Sequence, residues 1–246
     1  MSGGTSAQLG AIRSGDDVRE MFGRITPGYD RMNRLMTGGR DVAWRKIAVR
    51  SALEGYAAGT ARVLDLATGT GDLALALAEG GAGEVVGIDF AEPMLRVARA
   101  KAEGLGPGTP EWVIGDAMAM PFPDATFDAC TVGFGLRNMP DYAAALGEMA
   151  RVARPGGRLV CLEMTPLRVP LVGTVVDWGF RAVLPVVGGA VSGDADAYRY
   201  LPASVAAFPD VEALAALMRA AGFEPVRWRR FGAGTVALHV GTRTRG

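Results

Sequence analysis

An α/β fold with a doubly wound parallel sheet is what this chain predicts, and three observations carry that expectation. From residue 62 onward, short apolar runs alternate with amphipathic helical stretches. The first run, Val63-Leu64-Asp65-Leu66, breaks into a glycine turn, Ala67-Thr68-Gly69-Thr70-Gly71-Asp72, and the second, Val85-Val86-Gly87-Ile88-Asp89, ends in a carboxylate. Strands that alternate with helices pair in parallel, because a helix must carry the chain back to the same end of the sheet before the next strand begins.

The elements follow in order. Phe22, Ile25, Tyr29, Met32, Leu35 and Met36 recur at steps of three and four, broken by Pro27-Gly28 and Gly38-Gly39, so residues 18–53 read as a helical cap. Then come a strand at 62–66, a helix at 73–79, a strand at 84–89, a helix at 93–103 and a strand at 111–114. A strand at 127–134 and a helix at 142–153 lead through the turn Arg154-Pro155-Gly156-Gly157 to a strand at 158–164. A helix at 211–221 stops at Gly222, which is free to take a left-handed conformation. Strands at 224–231 and 235–242 close the chain as a hairpin.

Residues 167–202 form an insertion that the sheet does not need. Its helical part, 171–184, is apolar almost all round apart from Asp177 and Arg181, which stand four apart and can pair. Such a helix needs a cover: it either packs on the cap or forms an apolar tunnel or membrane-facing lid for a lipid-like substrate. Residues 1–17, polar and glycine-rich without the apolar core of a signal peptide, are expected to be mobile, leaving 18–246 as one domain.

Composition narrows the function. The chain has 246 residues, 49% of them hydrophobic, enough for a sizeable core. Its 26 basic and 26 acidic residues cancel, which argues against a phosphate-tracking nucleic-acid protein and favours a small substrate. The only cysteines, Cys130 and Cys161, sit in apolar runs, so a disulfide framework or zinc site is not expected, and buried thiols fit a cytoplasmic protein. No stretch of eighteen uninterrupted apolar residues occurs. Exposed apolar positions on the cap predict self-association as a homodimer. The cluster Arg227, Arg229 and Arg230 reads either as a solvated face or as a patch that meets anionic lipid at the periphery of a membrane.

The glycine turn carries no basic residue, which suits a nucleoside with a sulfur-bearing tail better than a pyrophosphate. Gly69 and Gly71 let the backbone come close to a ligand and take dihedrals closed to other residues. Asp65, at the strand end, is placed to accept a hydrogen bond from a ligand ammonium directly or through water, and Asp72 stands at the positive end of a helix. Asp89, about two dozen residues further on, has the spacing at which doubly wound folds hold ribose hydroxyls. Asp116, within Gly115-Asp116-Ala117, would accept from an adenine amino group, with Met94, Met118 and Ile88 sandwiching the base. Together these describe an S-adenosylmethionine site. A nicotinamide dinucleotide is the rival, but the turn lacks the third glycine of that fingerprint.

Further runs resemble a named family, the ubiquinone and menaquinone C-methyltransferases, along nearly the whole chain after residue 17. The most specific are Tyr29-Asp30-x-Met32-Asn33-x-Leu35-Met36 and Phe134-Gly135-Leu136-Arg137-Asn138. Others are Met120-Pro121-Phe122, Glu148-Met149-x-Arg151-Val152, Leu162-Glu163, Tyr198-x-Tyr200-Leu201-Pro202 and Ala237-Leu238-His239-Val240-Gly241. The resemblance implies a Rossmann-like class I S-adenosylmethionine-dependent methyltransferase fold with an N-terminal cap. It also implies methyl transfer to a ring carbon of a polyprenylated hydroquinone, with Thr70, Asp89, Asp116 and Ala117 touching the cofactor. Two positions depart from the pattern: Gly133 stands where many relatives carry serine, and Arg40-Asp41-Val42-Ala43-Trp44 lacks the histidine-arginine pair that often precedes the tryptophan.

That chemistry demands a collinear carbon, methyl and sulfur, and an electron-rich ring. Arg137 is the expected cation favouring a ring oxyanion, with Asn138 orienting the same oxygen or a bridging water. His239, the only histidine, is a candidate base for the ring proton, or else a structural residue of an alternating strand. Tyr29, Asp30 and Tyr198 are alternative proton handlers. A naphthoquinol, demethylmenaquinol, is the first expectation for substrate, with a methoxy-polyprenyl-benzoquinol of ubiquinone biosynthesis as the alternative. An oxygen or nitrogen methyltransferase of small molecules and a non-catalytic cofactor-binding scaffold are the competing functions.

Overall fold

The computed structural model describes residues 15–166 and 195–245, with the side chains of residues 15–17, 27 and 195–199 excepted. Three helices open the chain: α1 (Gly15–Ile25), α2 (Tyr29–Thr37) and α3 (Asp41–Leu53). An alternating series follows: β1 (Arg62–Leu66), α4 (Asp72–Glu79), β2 (Glu84–Asp89), α5 (Glu92–Ala102), β3 (Glu111–Ile114), β4 (Phe127–Gly133), α6 (Tyr142–Val152) and β5 (Ala153–Met164). The chain closes with α7 (Ala195–Ala207), α8 (Val211–Ala220), β6 (Phe223–Phe231) and β7 (Val236–Arg243). The expected boundaries agree within two residues except at β5, which begins at Ala153, before the Pro155-Gly156-Gly157 turn, at α1, which begins inside the segment expected to be mobile, and at α7, a helix that was not expected and that runs past the expected end of the insertion at residue 202. The rest of that segment, 1–14, and positions 167–194 of the insertion lie outside the described residues.

The seven strands form one sheet in the order β3-β2-β1-β4-β5-β7-β6. All neighbours from β3 to β5 pair in parallel, and β7 runs antiparallel between β5 and β6. The order reverses between β1 and β4, so the carboxyl ends of those strands diverge into a crevice, the place where open α/β sheets bind ligands.

Alternate strand residues face two apolar layers. Leu64, Leu66, Cys130, Val132, Leu159 and Cys161 pack against Leu146 and Met149 of α6 and Leu214 and Met218 of α8. Val63, Val85, Ala129, Val160 and Leu162 pack against Leu73, Ala74 and Leu77 of α4 and Trp44, Ala48, Val49 and Ala52 of α3. The expected cap is therefore divided: α3 covers the sheet, and only α1 and α2 form a separate cluster, with Val18, Met21, Ile25, Met32 and Tyr200 buried together. Helical periodicity shows that α3 has an apolar face but not what that face meets.

Cys130 and Cys161 are buried free thiols, and burial pushes the Cys130 thiol up to about 12. Among the described residues no single helix is long and apolar enough to cross a membrane.

Candidate active site

A cavity of about 250 Å³ opens at the switch point. Its walls come from the turn after β1 (Ala67, Gly69), the end of β2 (Ile88, Asp89, Phe90), the loop after β3 (Gly115 to Met118), the loop after β4 (Phe134, Gly135, Asn138) and the cap (Val18, Phe22, Tyr29). A smaller apolar cavity lies beneath the cap, lined by Met21, Ile25, Met32, Met36, Leu201 and Tyr200, and it shares Phe22, Tyr29 and Asn138 with the first. The two cavities meet where the cap touches the loop after β4.

The larger cavity is lined by the glycine, the two acids and the apolar side chains expected of an adenosyl site. Gly69 has φ +56°, and a Cβ built there would find nothing within 4 Å, so its backbone faces open space. Asp89 is anchored rigidly: its Oδ2 accepts from Gly69 N at 2.8 Å and its Oδ1 from Ala91 N at 2.9 Å. Burial raises its carboxyl above the usual range, and those backbone donors pull it partly back. Asp116 is exposed at the other end, with its Oδ1 accepting from Met118 N at 2.8 Å. Ile88, Met94 and Met118 line the wall between them.

Two non-glycine residues on this wall hold left-handed backbones, Ala67 (φ +47°) and Phe134 (φ +58°). Such strain costs about 1–3 kcal/mol per residue and persists only where neighbours over-determine it. At Phe134 they do: its N–H donates to Leu162 O at 2.8 Å, and its carbonyl accepts from Arg137 Nη1 at 2.5 Å. Gly135 must be glycine for a separate reason, since a Cβ there would come within 2.6 Å of the Ala67 Cβ.

Several expected contacts lie elsewhere. Asp65 is only 1% exposed and does not line the cavity. Its oxygens accept from Thr68 Oγ1 and Thr131 Oγ1, both at 2.6 Å, so it ties the turn to β4 instead of reaching a ligand. Burial raises its pKa to about 6, against a partial pull from the two hydroxyls. A carboxyl whose folded value exceeds its unfolded one favours the fold when protonated, and that contribution is lost as pH rises through about 6. Asp65→Asn is thus expected to gain stability relative to the parent as pH rises from 5 to 7.5, by roughly 1–2 kcal/mol in denaturant unfolding. A pH-independent difference between the two proteins would contradict this.

Neither Thr70 nor Gly71 lines the cavity. The Thr70 hydroxyl donates to Asp30 Oδ1 at 2.6 Å, joining the turn to the cap, and a Cβ at Gly71 would lie 2.6 Å from the Trp112 ring, so this glycine serves packing. Lys101 Nζ bridges Asp30 Oδ2 at 2.5 Å and Asp72 Oδ1 at 2.6 Å, which removes Asp30 as a proton handler. The side chain of Tyr198 lies outside the described residues.

His239 is on the far layer from the cavity. It is 1% exposed, stands opposite Cys161 in β5, and its Nε2 lies 2.9 Å from Val211 O. Burial lowers its pKa, so it is neutral, and the expectation of a catalytic base there is withdrawn. His239→Gln is expected to leave kcat/KM within about twofold of the parent while lowering thermal stability. A loss of two orders of magnitude in turnover would return it to the chemistry.

Arg137 does not stand as an unpaired cation. It is 8% exposed by side chain, and its Nη1 is 2.7 Å from Oε1 of Glu163, which is 1% exposed. Glu163 Oε2 also accepts from Arg137 N at 3.2 Å, and Oε1 from Met164 N at 2.8 Å. Burial works against the guanidinium charge, but Glu163, with help from Tyr29 and Tyr200, outweighs it, so the Arg137 pKa is raised. Sequence reasoning missed Glu163 as a functional partner. The available signal was a single carboxylate at the end of the buried run Leu159 to Leu162.

Two buried polar atoms here have no partner among the described residues: Arg137 Nε, a donor, and Asn138 Oδ1, an acceptor. Both residues line the smaller cavity. Tyr29, between the two cavities, has its hydroxyl pushed up by burial, partly countered by Arg137, so it is a proton donor near neutrality.

A seven-stranded sheet of this order, with an acid-lined crevice at its switch point, is that of an S-adenosylmethionine-dependent methyltransferase. The comparisons agree on the fold. A 4+2 cyclase, SpnF, superposes with a TM-score of 0.64 at 20% identity over 83% of this chain and 81% of that one. A methyltransferase from Thermotoga maritima, described as a possible histamine N-methyltransferase, superposes at 0.61 and 18% identity over 92% and 99%. A profile of the ubiE/COQ5 methyltransferase family matches residues 11–243, and the chain belongs to that family. It is 54% identical to a demethylmenaquinone methyltransferase of Thermus thermophilus over 91% of this chain and 100% of that protein. It is 48% identical to one of Deinococcus radiodurans over 93% of each. It is also 40% identical to a ubiquinone/menaquinone biosynthesis C-methyltransferase of Desulfotalea psychrophila, over 94% of this chain and 92% of that protein.

Proposed function

We propose that the protein methylates a ring carbon of demethylmenaquinol, using S-adenosylmethionine as donor, to give menaquinol. The observation that supports a quinol is the buried pair Arg137 Nε and Asn138 Oδ1 beside an apolar cavity, and the naphthoquinol is favoured by the relatives named demethylmenaquinone methyltransferases. A phenolic hydroxyl both donates and accepts, and so matches a donor and an acceptor of this kind. The methionine-lined cavity beneath the cap suits the isoprenoid tail attached to the same ring.

The cofactor, when bound, supplies a methyl group on a sulfonium. Asp89 would hold its ribose hydroxyls and Asp116 would accept from its adenine amino group, with Ala117 and Met118 beside the base. Because Glu163 balances the Arg137 charge, the guanidinium acts as a hydrogen-bond donor to the ring oxygen, steadying negative charge there without adding a net cation. Asn138 fixes the direction of that oxygen, and Tyr29 screens the junction of the two cavities from water. This site suits an ionised quinol that has given its hydroxyl proton to water: its ring carbon would bond to the methyl as the methyl-sulfur bond breaks, the donor would leave as a neutral thioether, and the ring-carbon proton would pass to water to restore aromaticity.

The test supplies methyl-labelled donor with demethylmenaquinol and a methoxy-polyprenyl-benzoquinol in parallel, and locates the label by mass spectrometry. Label on the naphthoquinol ring carbon is expected. Label on an oxygen or nitrogen, or turnover of the benzoquinol alone, would overturn the assignment.

A further inference from the structure

The outer surface of the N-terminal helices carries a charge pattern that this otherwise neutral chain does not predict. On α2, Met32 and Met36 line the cavity beneath the cap, whereas Arg31, Arg34 and Leu35, three and four apart, are exposed to solvent. On α3, Trp44, Ala48 and Val49 are buried against the sheet, while Val42, Lys46 and Arg50 form the opposite stripe, and Arg40 is exposed in the turn between the helices. The acidic groups of the two helices are engaged on the inner side. Asp30 is held by Thr70 and Lys101, and Asp41 by Thr37 and Arg45.

Every exposed charge between residues 31 and 53 is therefore positive. None of Arg31, Arg34, Arg40, Lys46 and Arg50 forms an ion pair among the described residues. Two of the large apolar side chains left in solvent belong to the same stripes, Leu35 at 58% and Val42 at 39% exposure. A folded surface that collects cations, turns its acids inward and leaves apolar side chains out has the composition of an interfacial helix pair.

We propose that the outer face of α2 and α3 docks on an anionic lipid bilayer. The cations are drawn to the negative surface, and Leu35 and Val42 enter the headgroup boundary. This sets α2 between the bilayer and the methionine-lined cavity, so that a lipid-borne substrate meets the cap without crossing bulk water. The purpose of the docking rests on the quinol reading; the docking itself does not.

The rival basic patch, Arg227, Arg229 and Arg230 on β6, is less free. Arg229 lies over the Phe231 ring at 5.2 Å and Arg230 over Trp228 at 5.8 Å, and none of the three lines either cavity.

The test measures flotation of the full chain with vesicles of phosphatidylcholine alone and of phosphatidylcholine mixed with phosphatidylglycerol. Binding to the mixed vesicles is expected to exceed binding to the neutral ones at least tenfold and to fall as salt is raised. The variant R31Q/R34Q/R40Q/K46Q/R50Q is expected to lose that excess while keeping the parent's cofactor affinity, which reports that it is folded. L35S/V42S tests the apolar part without touching charge, and R227Q is expected to float like the parent. Equal binding to both vesicles overturns the proposal, as does full binding by the charge variant or loss of binding in R227Q. Turnover of a short-tailed quinol in detergent separates the two readings: docking without turnover sinks the substrate assignment, and turnover without docking sinks this one.

Discussion

Glu163→Gln is expected to lose about 3–5 kcal/mol of stability and at least two orders of magnitude in kcat, the largest effect of any single substitution away from the cavity wall. The carboxylate is 1% exposed and is the counter-charge of a guanidinium that is 8% exposed. The amide keeps the shape and one acceptor but leaves the Arg137 charge buried without compensation. Two further consequences follow from the geometry. Arg137 Nη1 also donates to Phe134 O, so a displaced guanidinium releases a left-handed residue from its restraint. Arg137 Nε then leaves the place where it can donate to a ring oxygen.

The double variant Arg137→Leu/Glu163→Leu separates the two effects. Replacing both charges with apolar groups removes the desolvation cost along with the attraction, so stability is expected to return to within about 1–2 kcal/mol of the parent. Activity is not. Denaturant unfolding and single-turnover kinetics on the four members of this cycle check both statements. Recovery of turnover in the double variant would show that Arg137 acts only as part of the scaffold. For the same reason Arg137→Ala alone is a poor probe of chemistry, since it strands Glu163 in the interior.

Asp89→Ala is expected to weaken cofactor binding by about 10²–10³-fold, read by calorimetry, with little change in quinol KM. Two hydrogen bonds from ribose hydroxyls to an ionised carboxylate contribute about 1.5–3 kcal/mol each. The same oxygens accept from Gly69 N and Ala91 N, so their loss also frees the turn whose backbone faces the ligand. Asp116→Ala is a useful contrast, because Asp116 is exposed and its neighbours are less ordered by it. A tenfold loss or less is expected there. Equal affinities for the parent and Asp89→Ala would remove Asp89 from the cofactor site.

How much of this was legible in the chain can be judged residue by residue. The alternation of apolar runs with helical stretches located every strand of the sheet to within two residues except the start of β5; for β1, β2 and β4 the reason is that burial leaves an apolar signature that needs no knowledge of neighbours. The sequence placed Asp89 and Asp116 at strand ends, and the structure sets both on the wall of the carboxyl-end crevice. Asp65 was misread. It too stands at a strand end in sequence, yet Thr131, 66 residues away and opposite it in β4, captures its carboxylate. His239 was open to two readings because alternation in a strand says which residues share a face and not which layer covers it.

The sequence by itself determined the sheet, the glycine turn and the acids at its strand ends, since these depend on local pattern and on chain connectivity. Only the tertiary structure decided that Arg137 is neutralised by Glu163, that Thr70 and Lys101 fasten the cap through Asp30, and that the outer face of α2 and α3 is uniformly cationic. Each of those depends on pairing between groups brought together from separate strands and helices, and a Coulomb or hydrogen-bond partner is chosen by distance in space, which spacing along the chain does not encode.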